Sequence, residues 1–228
     1  AAAPLRICVI GAGGCAVPGF LLHALPNCTV DAVEPCGEVS YAARYLFGVG
    51  DLEASAPGRF RLHPMSAASY LERFTIHPGA ASREEGSPHG FDLLIVDVVD
   101  GTTDDKDRGV ASPPLELFQP ALLDSLASEG GVIAVNTIAS DVGLAAIRSL
   151  LCEQPWTAEG NAEGVEYAFI AVPAPAVYID GVAYQQRVLL IAHGPGRRPL
   201  MSRAGVAAAL ARLPRLVDDE EAWLDGWL

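Results

Sequence analysis

The 228-residue sequence lacks a long apolar run, and it also lacks a charged-then-apolar leader. No apolar stretch reaches the roughly 18 residues that a membrane-spanning helix needs. No secretory signal is visible at the first residues. We therefore predict a cytoplasmic protein that has no membrane as its partner.

Signatures of metal sites and disulfides are missing as well. The five cysteines include no CxxC pair and no Cys/His spacing typical of a metal site, and the five histidines are scattered. The number of cysteines is odd, and four of them fall in or beside predicted buried elements. This pattern indicates free thiols in a reducing compartment.

Positive charge is scarce, since 15 Lys and Arg residues face 28 Asp and Glu residues, for a formal net charge of −13. A chain of this charge repels the phosphates of nucleic acid, so we exclude nucleic acid as a partner. A basic protein or a polyamine would instead be attracted. The alternative is that the charge serves only solubility.

The most informative feature that is present is a junction of strand, glycines and helix over residues 7–18. An apolar run ends at Gly11, and Gly13 and Gly14 precede a helix-type segment, so the backbone can turn sharply and its N–H groups can approach a ligand. Glu34 ends the next predicted strand about twenty residues later, where an acid can hold ribose hydroxyls. The combination predicts a nucleoside cofactor at the carboxyl edge of a parallel sheet. Because the glycines also satisfy G-x-G-x-x-A, they leave NAD and S-adenosylmethionine open.

Strand and helix patterns alternate along the first two thirds of the chain. The predicted strands are Leu5–Gly11, Cys28–Glu34, Phe60–His63, Phe91–Val98 and Gly131–Thr137. The predicted helices are Ala16–Leu25, Gly37–Phe47, Ser66–Phe74, Pro114–Ala127 and Asp141–Leu151. Short strands rich in Val and Ile, apolar on both faces, are typical of parallel strands covered by helices. We predict an α/β fold with a Rossmann-like, doubly wound, mostly parallel sheet.

The remaining segments predict one domain over residues 1–228, with a cofactor-binding core over 1–150 and closing elements over 151–228. The closing strands are Val165–Val172, Val177–Asp180 and Arg187–Ala192, and the C-terminal helices are Ser202–Leu213 and Val217–Leu228. Stretches rich in small, acidic or turn residues predict surface insertions at Gly50–Gly58, Gly79–Gly90 and Glu153–Gly164. Because the chain begins almost on its first strand, we expect the full-length protein to carry residues before Ala1.

The order and spacing of these motifs resemble the class I S-adenosylmethionine-dependent methyltransferases of the spermidine-synthase-like branch. The resemblance covers residues 5–150 and rests on residues 9–14 with Pro18, residues 31–34, 91–97 and 112–114, and Asn136 with residues 141–144. It implies a seven-stranded sheet with helices on both faces and S-adenosyl-L-methionine as the cofactor. Gly11, Gly13 and Gly14 would then turn beneath its methionine part, and Glu34 would accept hydrogen bonds from both ribose hydroxyls.

The resemblance also implies roles for three further side chains. Ser66 stands where many relatives have an aspartate that receives the adenine amino group, although a helix cap is the alternative role. Asp97 ends the fourth strand, where it would contact the cofactor and orient the attacking amine, with Asp100 assisting at the entrance. Aminopropyltransferases typically read Asp-Ser-Ser-Asp here, and this chain keeps both acids but has valines between them. The nearby acids Asp104, Asp105 and Asp107 are either functional or a solvated surface.

The resemblance implies methyl transfer to an amine of a protein substrate, either a lysine or an N-terminal α-amine. Translation elongation factor 1A is a candidate substrate. The resemblance also implies that the protein forms a homodimer. Aminopropyl transfer to a polyamine is a second reading, and a catalytically silent binding module is a third. An NAD-dependent oxidoreductase is disfavoured, because no His or Tyr suited to hydride transfer follows the fifth strand.

Overall fold

The computed structural model describes residues 3–74, 90–98, 109–113, 115–118, 122, 124–126, 130–153, 165–171 and 175–193. The strands are β1 (Leu5–Ile10), β2 (Cys28–Val33), β3 (Phe60–His63), β4 (Leu93–Val96), β5 (Val110–Ser112), β6 (Gly131–Ala139), β7 (Val165–Ala171), β8 (Val177–Ile179) and β9 (Val182–His193). The α-helices with bounds in this part are α1 (Ala16–Ala24), α2 (Gly37–Leu46), α3 (Val49–Ser55), α4 (Ala67–Leu71) and α5 (Asp141–Glu153). Short 3₁₀ turns cover Glu72–Phe74 and Leu115–Leu117.

Seven strands form one sheet in the order β3-β2-β1-β4-β6-β9-β7. The first five of these run parallel to one another, whereas β9 runs antiparallel to both β6 and β7. β5 pairs with β6, and β8 pairs with β9, outside this path. The predicted doubly wound, mostly parallel seven-stranded sheet is therefore confirmed.

The sheet separates two apolar cores, and strands β1, β2 and β4 contribute apolar residues to both of them. One core joins the Ile7 and Val9 face of β1 to Leu21 and Leu22 of α1 and to residues of α2 and α3. The other core joins the opposite face of the sheet to α4 and to Ile147 of α5. Helices on both sides explain why the parallel strands read as continuous apolar runs.

The antiparallel strand β9 closes the sheet after a tight hairpin from β8. Asp180 (φ 51°) and Gly181 (φ 81°) both occupy the left-handed region between these strands, as a two-residue Asp-Gly turn requires. From there β9 extends to His193 and pairs with all nine residues of β6. The closing strands predicted from sequence are confirmed, with β9 starting five residues before the predicted Arg187.

One predicted surface insertion is wrong, because the Gly50–Gly58 stretch contains most of helix α3. The insertion was inferred from its small and turn-forming residues, yet Val49 and Ala56 are buried and Leu52 packs against the same core. Gly48, at φ 74°, separates α2 from α3. The spacing of these apolar residues, three and four apart, is that of one helical face.

Other predicted elements agree with the structure only in part. The predicted helix Ser66–Phe74 divides into α4 and a 3₁₀ turn, and the predicted helix Pro114–Ala127 begins with the 3₁₀ turn Leu115–Leu117. The short strand β5 was not predicted. Most of the insertions Gly79–Gly90 and Glu153–Gly164, and both C-terminal helices, lie outside the described residues.

Candidate functional site

Gly11 makes the turn that brings the end of β1 against the end of β4. Its φ of 82° lies in the left-handed region, and a Cβ added there would overlap the carbonyl oxygen of Asp97. The Asp97 N–H donates to the carbonyl of Ile10 at 2.8 Å, so the two strand ends remain hydrogen-bonded up to this point. Only glycine meets both the angle and the contact.

Glu34 ties the end of β2 to the glycine turn. Its Oε2 accepts the Gly13 N–H and its Oε1 accepts the Cys36 N–H, each at 3.0 Å. The residue is 8% exposed, so these charge-assisted hydrogen bonds lie in a largely desolvated place. The carboxylate therefore points at the glycine turn, and its two oxygens have separate main-chain partners, whereas its contact with ribose stays a prediction.

The space beside Gly13 is open. Its φ is 51°, and a Cβ built on it would meet no atom within 4 Å. Gly14 is exposed, and an added Cβ would touch the ring of Phe47 at 3.7 Å, although Phe47 is itself 67% exposed. The main chain of the turn is thus accessible to a ligand on one side and bordered by an aromatic ring on another.

Cys15, which precedes α1, also has a positive φ, at 60°. Desolvation raises the pKa of its thiol to about 11, and the nearby charges of Glu34 and Glu53 act in the same direction. Because the thiol stays protonated at neutral pH, Cys15 is a packing residue and has little nucleophilic character.

Asp97 lies just beyond the end of β4 and is half-buried. Its Oδ1 accepts a hydrogen bond from Nδ2 of Asn136 at 2.9 Å. The Asn136 Oδ1 in turn accepts a hydrogen bond from Nε2 of Gln186 at 2.8 Å. Hydrogen bonds between side chains therefore run from Gln186 on β9 through Asn136 on β6 to the Asp97 carboxylate, which lies just beyond β4.

Ser66 precedes α4 and caps it. Its Oγ accepts the Ser69 N–H at 3.2 Å and lies 3.0 Å from the Ser69 hydroxyl. The cap interpretation is therefore confirmed, and contact with adenine stays a prediction. Asp100, together with the loop acids Asp104, Asp105 and Asp107, lies outside the described residues.

The structure thus brings Gly11, Gly13, Gly14, Glu34 and Asp97 together at the carboxyl edge of the sheet. Sequence reasoning missed Gln186, because it is one of two adjacent glutamines in a strand whose start was not recognised. It also missed Phe47 as a neighbour of the glycine turn. In the sequence, the available signal was the spacing of Tyr41 and Tyr45, which are four residues apart in α2. In the structure their ring centres lie 4.3 Å apart and both side chains are exposed.

Two other kinds of feature are absent from the described part of the chain. No group of three His, Cys, Asp or Glu side chains there is arranged to hold a metal ion. No helix there is both long and apolar enough to cross a membrane.

Comparison with known proteins gives relatives in one group of enzymes, although no family model matches the chain. The eEF1A lysine and N-terminal methyltransferase of Bos taurus is 28% identical over 145 residues, and its Homo sapiens counterpart is 26% identical over 144 residues. Each match covers 62% of this chain and 18% of the relative. The chain therefore spans less than a fifth of the length of these relatives.

Solved structures agree with this comparison at the level of the fold. Human methyltransferase-like protein 13, solved in complex with SAH, superimposes with a TM-score of 0.59 at 21% identity, covering 97% of this chain and 88% of that one. A probable spermidine synthase from Corynebacterium glutamicum gives 0.54 at 22% identity, covering 82% of this chain and 55% of that one. The fold is that of the class I methyltransferases, and the resemblance to their spermidine-synthase-like branch is confirmed.

Proposed function

We propose that the protein is an S-adenosylmethionine-dependent methyltransferase that acts on an amine of a protein substrate. The observation that carries the proposal is the pair of carboxylates at one edge of the sheet. Glu34 is bound to the glycine turn, and Asp97 stands across Gly11 from it. The curated relatives, which are named as lysine and N-terminal methyltransferases, support this choice of chemistry.

The residues present fit a nucleoside cofactor. Each Glu34 oxygen accepts one main-chain N–H, and an ionised carboxylate offers about four lone-pair sites. Two acceptor sites therefore remain for two ribose hydroxyls. The open space beside Gly13 allows a ligand to lie directly against the main chain.

When bound, S-adenosylmethionine would supply an electrophilic methyl group, which a neutral amine attacks while S-adenosylhomocysteine leaves with the electron pair of the broken S–C bond. Asp97 would bind and orient the incoming amine in its ammonium form, because a carboxylate raises the pKa of a neighbouring amine. The proton then leaves to water before transfer. An N-terminal α-amine, with a reference pKa of about 7.7–8.0, loses its proton more readily than a lysine, at about 10.4.

Asp97 is suited to this role because, among the described residues, only its Oδ1 accepts a side-chain hydrogen bond. Asn136 donates to Oδ1, and no other described residue donates to Oδ2. An amine N–H can therefore bind Oδ2 without breaking an existing hydrogen bond. The net charge of −13 adds long-range attraction for a basic substrate.

Cofactor binding is the first test. We expect SAH to bind at micromolar concentration and to raise the melting temperature, because a ligand of the native state stabilises it by about 2.7 kcal/mol at a hundredfold excess over Kd. Calorimetry with decarboxylated S-adenosylmethionine tests the aminopropyltransferase alternative, which requires that compound to bind more tightly than the intact one. No binding of either compound would favour a silent binding module.

Substrate identification is the second test. The protein is incubated in a cell lysate with S-adenosylmethionine carrying an isotope-labelled methyl group, and labelled peptides are located by mass spectrometry. We expect labels on lysine or N-terminal amines, with elongation factor 1A as the first protein to examine. Label found only on carboxyl, thiol or nucleic-acid groups would contradict the proposal.

A further inference from the structure

We infer that Gln186 is a positioning residue that acts through Asn136 to decide which oxygen of Asp97 receives the amine. This inference rests on the proposed function, because it concerns the amine-binding carboxylate of that same site. It is carried by the continuous chain of hydrogen bonds from Gln186 to Asn136 to Asp97.

The direction of this chain follows from the chemistry of its ends. An ionised carboxylate only accepts hydrogen bonds, so Asn136 must turn its amide nitrogen toward Asp97. The amide oxygen of Asn136 then faces Gln186, which must donate with its own nitrogen. The observed contacts, 2.9 Å and 2.8 Å, match this one arrangement.

The strand register explains why Gln186 reaches Asn136. In the antiparallel pairing of β6 with β9, Asn136 stands opposite Val188 and Ile138 stands opposite Gln186. Gln186 is therefore a diagonal neighbour of Asn136 on the same face, at a separation that only a long side chain bridges. A shorter residue at this position leaves Asn136 without its donor.

Loss of that donor has a specific consequence. The Asn136 amide keeps its NH₂ group toward Asp97, but its oxygen has no donor and the plane of the amide is no longer fixed. A carboxylate at position 186 has a larger effect, because it competes with Asp97 for the same NH₂ group, and the free oxygen of Asp97 then no longer has one fixed direction. The effect falls on the amine, whereas the glycine turn and Glu34 are untouched.

The test uses two nucleosides that differ at the reacting position. SAH has no group there, whereas sinefungin carries a primary amine, protonated at neutral pH, in place of the methylsulfonium. Calorimetry gives the ratio of the two affinities for the wild type, Gln186→Glu and Gln186→Met. Gln185→Glu is the matched control, because it places the same charge one residue away, on the opposite face of β9 and exposed.

We expect sinefungin to bind the wild type more tightly than SAH does. Gln186→Glu should reduce this advantage by about tenfold, Gln186→Met by a smaller factor, and neither should change SAH affinity by more than about threefold. Gln185→Glu should match the wild type.

Three results of this experiment would contradict the inference. An effect of charge alone would make sinefungin bind more tightly to Gln186→Glu, because the added carboxylate attracts its ammonium, and that result overturns the inference. So does an unchanged ratio in both Gln186 variants. If neither nucleoside binds the wild type, the proposed function fails and the inference fails with it. Should Gln186→Glu not fold, the neutral Gln186→Met carries the comparison.

Discussion

The two carboxylates at the carboxyl edge of the sheet are held in different ways. On the parallel side, both oxygens of Glu34 are bound by main-chain N–H groups from the turn and from the start of α2. On the other side, which we call the antiparallel side because its last support comes from the antiparallel strand β9, Asp97 is held by the side chain of Asn136, which is itself held by Gln186 of β9. One carboxylate is anchored by the backbone that the fold requires, and the other by exchangeable side chains.

This difference separates two tasks within the proposed site. Main-chain donors are lost only on substitution with proline, so the Glu34 side suits a cofactor contact that does not vary. Side-chain donors can be changed one at a time without refolding the sheet. The Asp97 side is therefore the side on which orientation of the substrate can be adjusted, and each side calls for its own experiment.

The largest expected effect comes from Gly11→Ala, which breaks the parallel side. The added Cβ would overlap the Asp97 carbonyl oxygen, and the φ of 82° disfavours any L side chain. Together these should lower the free energy of unfolding by about 3–5 kcal/mol in urea denaturation. Gly13→Ala is the matched control, with positive φ but open space, and should lose only about 1 kcal/mol. Equal losses in the two variants would contradict the contact at Gly11.

The next effect comes from Asp97→Ala, which breaks the antiparallel side. Because Asp97 orients the amine, we expect turnover to fall about 100-fold, as for a misplaced reacting group. The KM for S-adenosylmethionine should change by less than about threefold. Asp51→Ala, at an exposed acid of α3, is the control for loss of one negative charge. Wild-type turnover in Asp97→Ala would remove its proposed role.

Glu34→Gln tests the carboxylate of the parallel side. An amide offers only one oxygen, so its NH₂ group would face the N–H of either Gly13 or Cys36. SAH affinity should fall about tenfold, corresponding to roughly 1.5 kcal/mol for one hydrogen bond to a charged group. Glu38→Gln, at the exposed first turn of α2, should leave affinity unchanged in the same calorimetric titration. Equal affinities in all three proteins would exclude Glu34 from the cofactor site.

The smallest expected effect comes from Arg187 on the antiparallel side. Its side chain is 7% exposed, and its Nε and Nη1 are buried without hydrogen-bond partners among the described residues. Nη2 donates to Gln185 and lies 4.0 Å from the fully exposed carboxylate of Asp141, and burial lowers the pKa of the guanidinium. Arg187→Met keeps the apolar stem and removes the unpaired donors, so stability should stay within about 1 kcal/mol of the wild type or rise.

Thermal and urea denaturation of Arg187→Met provide the measurement. Arg187→Ala is the companion variant, because it removes the stem as well and should be less stable than Arg187→Met. A loss of more than about 2 kcal/mol in Arg187→Met would mean that the guanidinium is bound by a group that stabilises it.

The part of the site that could be predicted from sequence is the part made by near neighbours. Gly11, Gly13 and Glu34 are brought together by one strand–turn–helix–strand unit, whose glycine spacing and apolar runs are local signals. Gln186 reaches Asn136 across 50 residues through a specific antiparallel register. No local pattern encodes that register, so the orientation of Asp97 could not be predicted.

Helix α3 and strand β9 show the same limit for the fold. Glycine and small residues hid the helical spacing of Val49, Leu52 and Ala56, since each apolar side chain there is short or isolated. The segment of β9 that contains Gln185, Gln186 and Arg187 is polar, and it pairs with β6 all the same. Contacts made far along the chain decide both elements.

The position of β9 has a consequence for how the chain is built by the ribosome. β9 is the last described strand along the chain, yet it lies between β6 and β7, which are synthesised earlier. Until residues 182–193 have emerged, the edge of β6 has no partner there and is a template for pairing with other nascent chains. The glycine turn can form with the first two strands, whereas the support of Asp97 is completed only after β9 has been synthesised.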